Sequence, residues 1–402
     1  MATTNQNIAT PRFYIDFTQL ALAKGFRAMH IEPTLTNVLP TDSSQQENAL
    51  TNRAFLPWEF DYNNPVNYTV LPGVQSSDEK IEFKCYPFWN MEAETEDEEV
   101  SIEWGKLMKT TNWAGIFNHN LYSRFKNTTG SFPKVEFSWR GNILNPGDDF
   151  FSYNDVSQYL STNGPQIEYD GHTLCEFTDI TVGSSQFATL AQFIVTIRSS
   201  GEDWSMFDFD LGAIAFGKYV DLPRSPDLTI KKSVQYEGAT IQRTFGGSDA
   251  VQINHQGISN WVTGEPWALK NNLYGANGIV HDDTFRNKAK IGRNGRRYWE
   301  IQYSYLSDTE MFYDTAEEGV GSATNDFVPG GIVSSSDIQQ VWDLTLGGAL
   351  PFVFSPDPST ISQDIYERTP ELAVCRFIKD SFNVKQTGIN SYNTSFKIEE
   401  VW

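Results

Sequence analysis

The sequence predicts an all-β protein with one or two short helices, and three observations carry that expectation. Segments in which apolar and polar residues alternate recur along the chain, as in "KIEFKCYPFW", "KVEFSWRG" and "RRYWEIQYSYLSD". Alternation with period two is the mark of a strand with one buried face. Aromatic residues reach 14% and are interleaved with 29 Gly and 18 Pro, which supplies both strand formers and the turns between them. No amphipathic stretch of helical period lasts three turns.

The chain has 402 residues, enough for two or more domains at roughly 100–200 residues each. Proline-punctuated "DLPRSPDLTIKKSVQYEG" marks a boundary, so the reading divides the chain into three spans. Residues 1–59 hold an N-terminal strand and irregular segment that goes with the last domain. Residues 60–222 form a jelly-roll-like β-sandwich, and residues 223–402 a tube-like β-sandwich or barrel flanked by a helix over 337–346.

The elements follow in order. "PRFYIDF" alternates, with Phe13, Ile15 and Phe17 opposite Tyr14 and Asp16, and reads as a strand. "TQLALAK" followed by Gly25 reads as one or two helical turns ended by glycine. Residues 32–80 are rich in Pro, Asn, Thr and Ser and read as loops and irregular strands. From there "KIEFKCYPFW", "TNWAGIFNHNL", "KVEFSWRG", "FFSYNDV", "HTLCEFTDITV", "FATLAQFIVTIRS" and "MFDFDLGAIAFGKYVDL" form a series of strands.

After the junction, "DLTIKKSVQY" and "ATIQRTFGGS" read as the two arms of a hairpin, and 250–290 as loop. "RRYWEIQYSYLSD" sets Trp299, Ile301, Tyr303 and Tyr305 on one face of a strand. "SDIQQVWDLTLGG" is a short helix, capped by Ser336 or Asp337 and ended by Gly347. "ALPFVFSPD", "LAVCRFIKDSFNVKQTG" and "NSYNTSFKIEEVW" close the chain as strands.

Charge narrows the function classes. Lys and Arg total 30 against 51 Asp and Glu, a net charge of −21. Such a chain repels a phosphate backbone, so nucleic acid is not an expected partner. The start "MATTNQNIATPRFYIDF" has no basic region leading into an apolar one, and no apolar run approaches a membrane span, so neither a signal peptide nor a membrane anchor is expected. Cys85, Cys175 and Cys375 lie far apart in no metal-like spacing and read as reduced thiols.

Candidate chemistry is sparse. The acidic run "NMEAETEDEEVSIE" lacks the order of a calcium loop and reads as a solvated surface. "NHN" around His119 and "HDD" at 281–283 have no second ligand at metal spacing. "RTFGGSDA" has paired glycines but no helix after it, as a phosphate cradle requires. No nucleophile elbow, P-loop or Cys-x-x-Cys is present, and no carboxylate pair stands out. The expectation is a non-enzymatic protein without metal or cofactor. Trp58, Trp89, Trp113, Trp261 and Trp267 are the aromatics available to stack on a sugar. "RNKAKIGRNGRR" is the one basic cluster, with Arg286, Lys288, Lys290, Arg293, Arg296 and Arg297. In an acidic chain it reads as a plain exposed loop or, as the candidate assembly contact, a loop that meets the acidic surface of a neighbouring subunit.

The C-terminal order of strong strand, long loop, short helix, "GGALPFVFSPD" and final strand ending "KIEEVW" resembles the tube-like domains of tailed-bacteriophage minor tail and distal tail (baseplate) proteins. The residues that carry the resemblance are Trp342, Gly347, Gly348, Pro351, Phe352, Phe354, Pro356 and Asp357, with Glu400 and Val401 at the end. "TNWAGIFNHNL" and "SPDLTI" through "GATIQRTFGGS" are similar to jelly-roll modules of the same proteins. The resemblance implies a virion tail component made in the host cytoplasm. It would form a homo-oligomeric ring, six-fold in the family, that contacts other phage tail proteins. It also implies alternatives: a receptor-binding β-sandwich whose partner is a host surface glycan, or a β-rich polysaccharide hydrolase.

Overall fold

A computed structural model describes residues 10–23, 30–35, 39–40, 58–61, 80–86, 89–90, 95–96, 111–117, 134–143, 151–152, 172–176, 188–198, 209–227, 230–236, 239–253, 295–312, 337–358, 372–379 and 381–401. The fold is all-β with short helices. In chain order the first elements are β1 (Arg12–Asp16), α1 (Phe17–Ala23), β2 (His30–Leu35), β3 (Leu39–Pro40), β4 (Trp58–Asp61), β5 (Lys80–Tyr86), β6 (Trp89–Asn90) and β7 (Thr95–Glu96). There follow β8 (Trp113–Phe117), β9 (Lys134–Ile143), β10 (Phe151–Ser152), β11 (His172–Glu176), β12 (Ala188–Arg198), β13 (Phe209–Leu211) and β14 (Ala213–Asp221). The remainder comprises β15 (Lys231–Tyr236), β16 (Ala239–Arg243), β17 (Asp249–Ile253), β18 (Gly295–Leu306), α2 (Asp308–Met311), α3 (Ile338–Leu344), β19 (Phe352–Ser355), β20 (Ala373–Phe377), β21 (Asn383–Gly388) and β22 (Ser391–Glu400).

Ten of these strands form one antiparallel sheet. Its order is β11-β8-β14-β1-β19-β20-β22-β18-β15, and β21 continues along the same edge of β22 that β20 occupies. A second sheet runs β10-β9-β12-β5-β2, and a third runs β13-β4-β3. The pairs β16-β17 and β6-β7 are separate two-stranded ribbons.

The large sheet takes strands from all three spans of the sequence. β1 sits between β14 and β19, with Phe13 opposite both Val220 and Phe354. The sheet therefore crosses the boundary read at 222. The hairpin read from "DLTIKKSVQY" and "ATIQRTFGGS" is not formed: β15 pairs with β18, and β16 turns back through Thr244–Ser248 to pair with β17. Both strands alternate, so alternation alone did not say which partner each would take.

Two cores lie on opposite faces of this sheet. On one face Phe13 is ringed by Phe352, Phe354, Phe377 and Phe396 at centroid distances of 5.2–6.1 Å, and Trp299 meets Phe354 edge-on at 5.3 Å. On the other, Tyr14, Trp113, Phe117, Leu174, Ala213, Ala215, Val353, Leu372 and Val374 form a second cluster. Strands β8 and β19 and the first half of β14 are consequently buried on both faces. The arrangement changes towards β18 and β22. There the first face stays buried through Trp299, Ile301, Phe396 and Ile398, while the second presents Gln302, Arg376 and Lys397 to solvent.

One register break redirects a side chain. Between Tyr303 and Leu306, β18 carries one residue more than β22, a β-bulge. Tyr305 takes φ 59° there. Its N–H donates to Asn393 Oδ1 at 3.0 Å and its carbonyl accepts from Arg224 Nη2 at 2.7 Å. Strict alternation places Tyr305 beside Tyr303; the bulge instead exposes Tyr305 and buries Leu306.

Candidate functional site

The helix step is built from the cap onward. Asp337 Oδ1 accepts the Gln340 N–H at 2.7 Å and starts α3 one turn before Trp342. The observed helix, 338–344, sits inside the 337–346 span read from sequence. At its end Leu346, Gly347 and Gly348 all have positive φ, at 51°, 68° and 82°. The Gly347 N–H donates back to the Trp342 carbonyl at 2.9 Å and the Leu350 N–H to the Thr345 carbonyl at 2.9 Å, so the last helical carbonyls are satisfied while the chain reverses. Gly348 has a second reason to be glycine: a Cβ there would lie 2.7 Å from Phe377 Cβ. Pro351 then leads directly into β19.

This step is a packing device. The Trp342 ring stacks on Phe382 at 4.8 Å and meets Phe377 edge-on at 5.2 Å, which fixes α3 over the first core. Phe352 and Phe354 sit in that core from a strand flanked by β1 and β20. Asp357 lies half-buried just past β19.

The basic segment divides. Arg286, Lys288, Lys290 and Arg293 lie outside the described residues. Arg296 and Arg297 belong to β18 rather than to a loop. Arg297 is not a surface assembly contact, because it is 2% exposed. Its Nη2 donates to Glu400 Oε1 at 2.7 Å and to the Leu372 carbonyl at 2.8 Å, and its Nε donates to Glu400 Oε2 at 3.1 Å. The terminal "EEV" is thus half of a buried ion pair. The sequence held a signal for it: Arg297 shares the parity of Trp299 and Ile301, and Glu400 that of Ile398 and Phe396.

A second charged network ties β1 to its neighbours. Arg12 makes a bidentate pair with Asp221, Nε to Oδ1 at 2.6 Å and Nη2 to Oδ2 at 2.7 Å. Its Nη1 donates to Glu176 Oε1 at 2.6 Å, which also accepts the Tyr14 hydroxyl at 2.5 Å. The guanidinium lies 4.1 Å from the Tyr219 ring centre. Nearby, Asp16 caps α1 by accepting the Thr18 N–H at 2.8 Å. Burial pushes its carboxyl up to about 7, against the lowering effect of hydrogen bonds from Thr18, Gln19 and Phe216.

Other sequence candidates resolve less favourably. Trp113 is fully buried in the second core, so it offers no platform for a sugar. Of Trp58 and Trp89 only the backbone is described, and Trp261, Trp267, His119 and the 281–283 cluster lie outside the described residues. Cys175 and Cys375 are buried and in no disulfide, and burial pushes Cys175 up to about 12, well away from thiolate chemistry. Among the described residues no group of three or more His, Cys, Asp and Glu is placed to hold a metal ion, and no helix is long and apolar enough to cross a membrane.

Among the described residues, five of the seven exposed large apolar side chains lie on two hairpins, the others being Tyr305 and Leu346. Ile241, Phe245 and Val251 stand on β16-β17, and Val384 and Ile389 on β21 and its turn. "RTFGGSDA", which has no helix after it to cradle a phosphate, forms the end of β16, the turn and the start of β17. The informative signal was a Phe-Gly-Gly turn between two alternating arms. No protein-family model, curated protein or solved structure significantly matches this chain.

Proposed function

We propose that this chain is a non-enzymatic structural protein of a tailed-phage virion, forming a ring at the distal tail or baseplate that joins the tail tube to the host-recognition apparatus. The observation that supports this reading most is the use made of the residues that carry the resemblance. Trp342, Gly347, Gly348, Phe352 and Phe354 bind a short helix across the centre of a ten-stranded sheet. Such residues build a wall and perform no reaction. Four of the described carboxylates serve structure in the same way: Glu176 and Asp221 pair with Arg12, Glu400 pairs with Arg297, and Glu310 accepts from Ser307 and Arg224.

A wall becomes a ring when one subunit meets the next through two different surfaces and the rotation closes. Native mass spectrometry of the purified chain, with negative-stain images of the same sample, tests this. The expected result is a closed ring with a fixed subunit number. A monomer across micromolar concentrations, in low and high salt, would overturn the ring, and a glycan array would then test the receptor-binding alternative.

A further inference from the structure

We propose that the solvent face of the sheet at β15, β18, β22, β20 and β21 is a cationic docking surface that receives the acidic segment 92–103 of a second copy of this chain. The proposal rests on the ring reading above and assigns the contact that reading requires.

The register assembles the surface. Lys231 lies opposite Glu300, and Glu300 opposite Lys397. Arg376 lies opposite Glu399, and Lys385 opposite Asn393. Asn393, Lys397 and Glu399 share one side of β22, because their spacing is even. Lys231, Arg376, Lys385 and Lys397 therefore stand on one face together with Glu300 and Glu399. Further along the sheet the same face is closed by the second core. Here it is open: the Lys231, Lys397 and Arg376 side chains are 70%, 52% and 46% exposed, and Lys385 is exposed too. In a chain of 30 basic and 51 acidic residues, cations outnumber carboxylates on this surface.

These cations are only loosely engaged at home. Glu300 Oε2 is shared by Lys231 Nζ at 3.8 Å and Lys397 Nζ at 3.7 Å, and Arg376 Nη2 lies 3.8 Å from Glu399 Oε1. All three distances exceed hydrogen-bond range. Arg12 and Arg297, which serve the fold, are each held within 2.7 Å of a carboxylate oxygen. Lys385 makes no ion pair among the described residues. Exposed, loose pairs contribute on the order of 0–1 kcal/mol, so exchanging them for intermolecular pairs costs little.

The chain carries the counterpart in its own sequence. Residues 92–103 include seven carboxylates and no Lys or Arg, and five of the six residues from 94 to 99 are acidic. The sizes agree. Neighbouring strands lie about 4.8 Å apart, so the path from β15 across β18 and β22 to β20 is about 14 Å, a length that a segment of about six residues spans. At physiological ionic strength the screening length is about 8 Å, so the like charge of two whole copies is screened while facing groups attract. Cationic face and acidic segment are different surfaces, so the contact is heterologous, as a ring requires.

The test compares the wild type with the double variant Lys385→Glu, Lys397→Glu, with the double variant Glu98→Lys, Glu99→Lys, and with all four changes in one chain. Native mass spectrometry across a dilution series gives the dissociation constants, and thermal unfolding of the dilute monomer follows the fold. Each double variant should raise the dissociation constant at least roughly tenfold with the monomer's melting unchanged, and the four changes together should recover most of the loss. Mixing the two double variants should give assemblies that contain both chains, although neither assembles by itself; mixing does not cure a folding defect. If the wild type assembles and both double variants assemble equally well, or if neither the four-fold variant nor the mixture recovers anything, the contact is overturned and the ring stands. A loss with the lysine variant alone overturns the segment and leaves the face to another acidic occupant. If the lysine variant's monomer melts early, the mixture decides by the same criterion. If the wild type never assembles, the ring reading falls and takes this one with it.

Discussion

Replacing Glu400 with glutamine tests the buried ion pair directly. The substitution keeps the side chain's shape and removes its charge, so the buried Arg297 guanidinium, which also donates to the Leu372 carbonyl, loses its charged partner. The two side chains are 3% and 0% exposed, so water cannot replace the lost partner. Removing one member of such a pair costs about 3–5 kcal/mol, against about 1 kcal/mol or less for an exposed pair. The comparison includes Arg297→Met, Glu400→Leu and their combination. Exchanging the whole pair for apolar residues of similar volume is near neutral or stabilising, so the double variant should stand well above either single one. Urea unfolding midpoints at neutral pH provide the measurement, repeated at high salt, which screens exposed pairs far more than buried ones. Single variants within about 1 kcal/mol of wild type, or a double variant as damaged as the sum of the singles, would refute the reasoning.

Three further outcomes are expected. Gly348→Ala should destabilise the fold by clearly more than Gly347→Ala in urea unfolding: both force alanine to positive φ at about 1–2 kcal/mol, but only the first also drives a Cβ to within 2.7 Å of Phe377 Cβ, the nearest atoms at the second being 3.8 Å away. Asp16 should make stability fall as pH rises from about 4 to about 7, because its raised pKa leaves the folded chain holding a proton that the unfolded chain has released. The loss approaches on the order of 4 kcal/mol above that window, and Asp16→Asn should abolish this part of the slope; identical pH profiles for the two proteins would contradict the assignment. Arg12→Lys keeps the charge but loses the bidentate fork to Asp221, and should cost on the order of 1–3 kcal/mol in the same assay.

Much of this architecture could be read locally. Alternation located β5, β9, β18 and β22, and a cap residue with a glycine pair located α3 to within two residues at each end. Pairing was harder, because it is decided between residues far apart in sequence. β15 and β16 each alternate, and neither says that the first joins β18 while the second folds back on β17. The same distance hid the role of Arg297, whose partner lies 103 residues later. A cluster of basic residues read as one surface loop, although the parity of Arg297 with Trp299 already placed it inward. Tyr305 failed for the opposite reason: its parity was right until a single extra residue turned it outward. The exposed apolar hairpin β16-β17 was spelled out in the sequence, yet only the register showed that Ile241 and Val251 share a face.

The position of β1 between β14 and β19 also sets a timetable for synthesis. The strand leaves the ribosome before either of its neighbours, and its β14 edge finds a partner only once Ala213–Asp221 has emerged. Its other edge waits longer still, for Phe352–Ser355. At roughly 5–20 residues per second that interval is on the order of tens of seconds. Throughout it, a strand rich in aromatic residues presents an unpaired edge. A nascent chain of this design calls for a chaperone more than its finished form would suggest, and a message cut short before β19 yields a product whose central sheet cannot be completed.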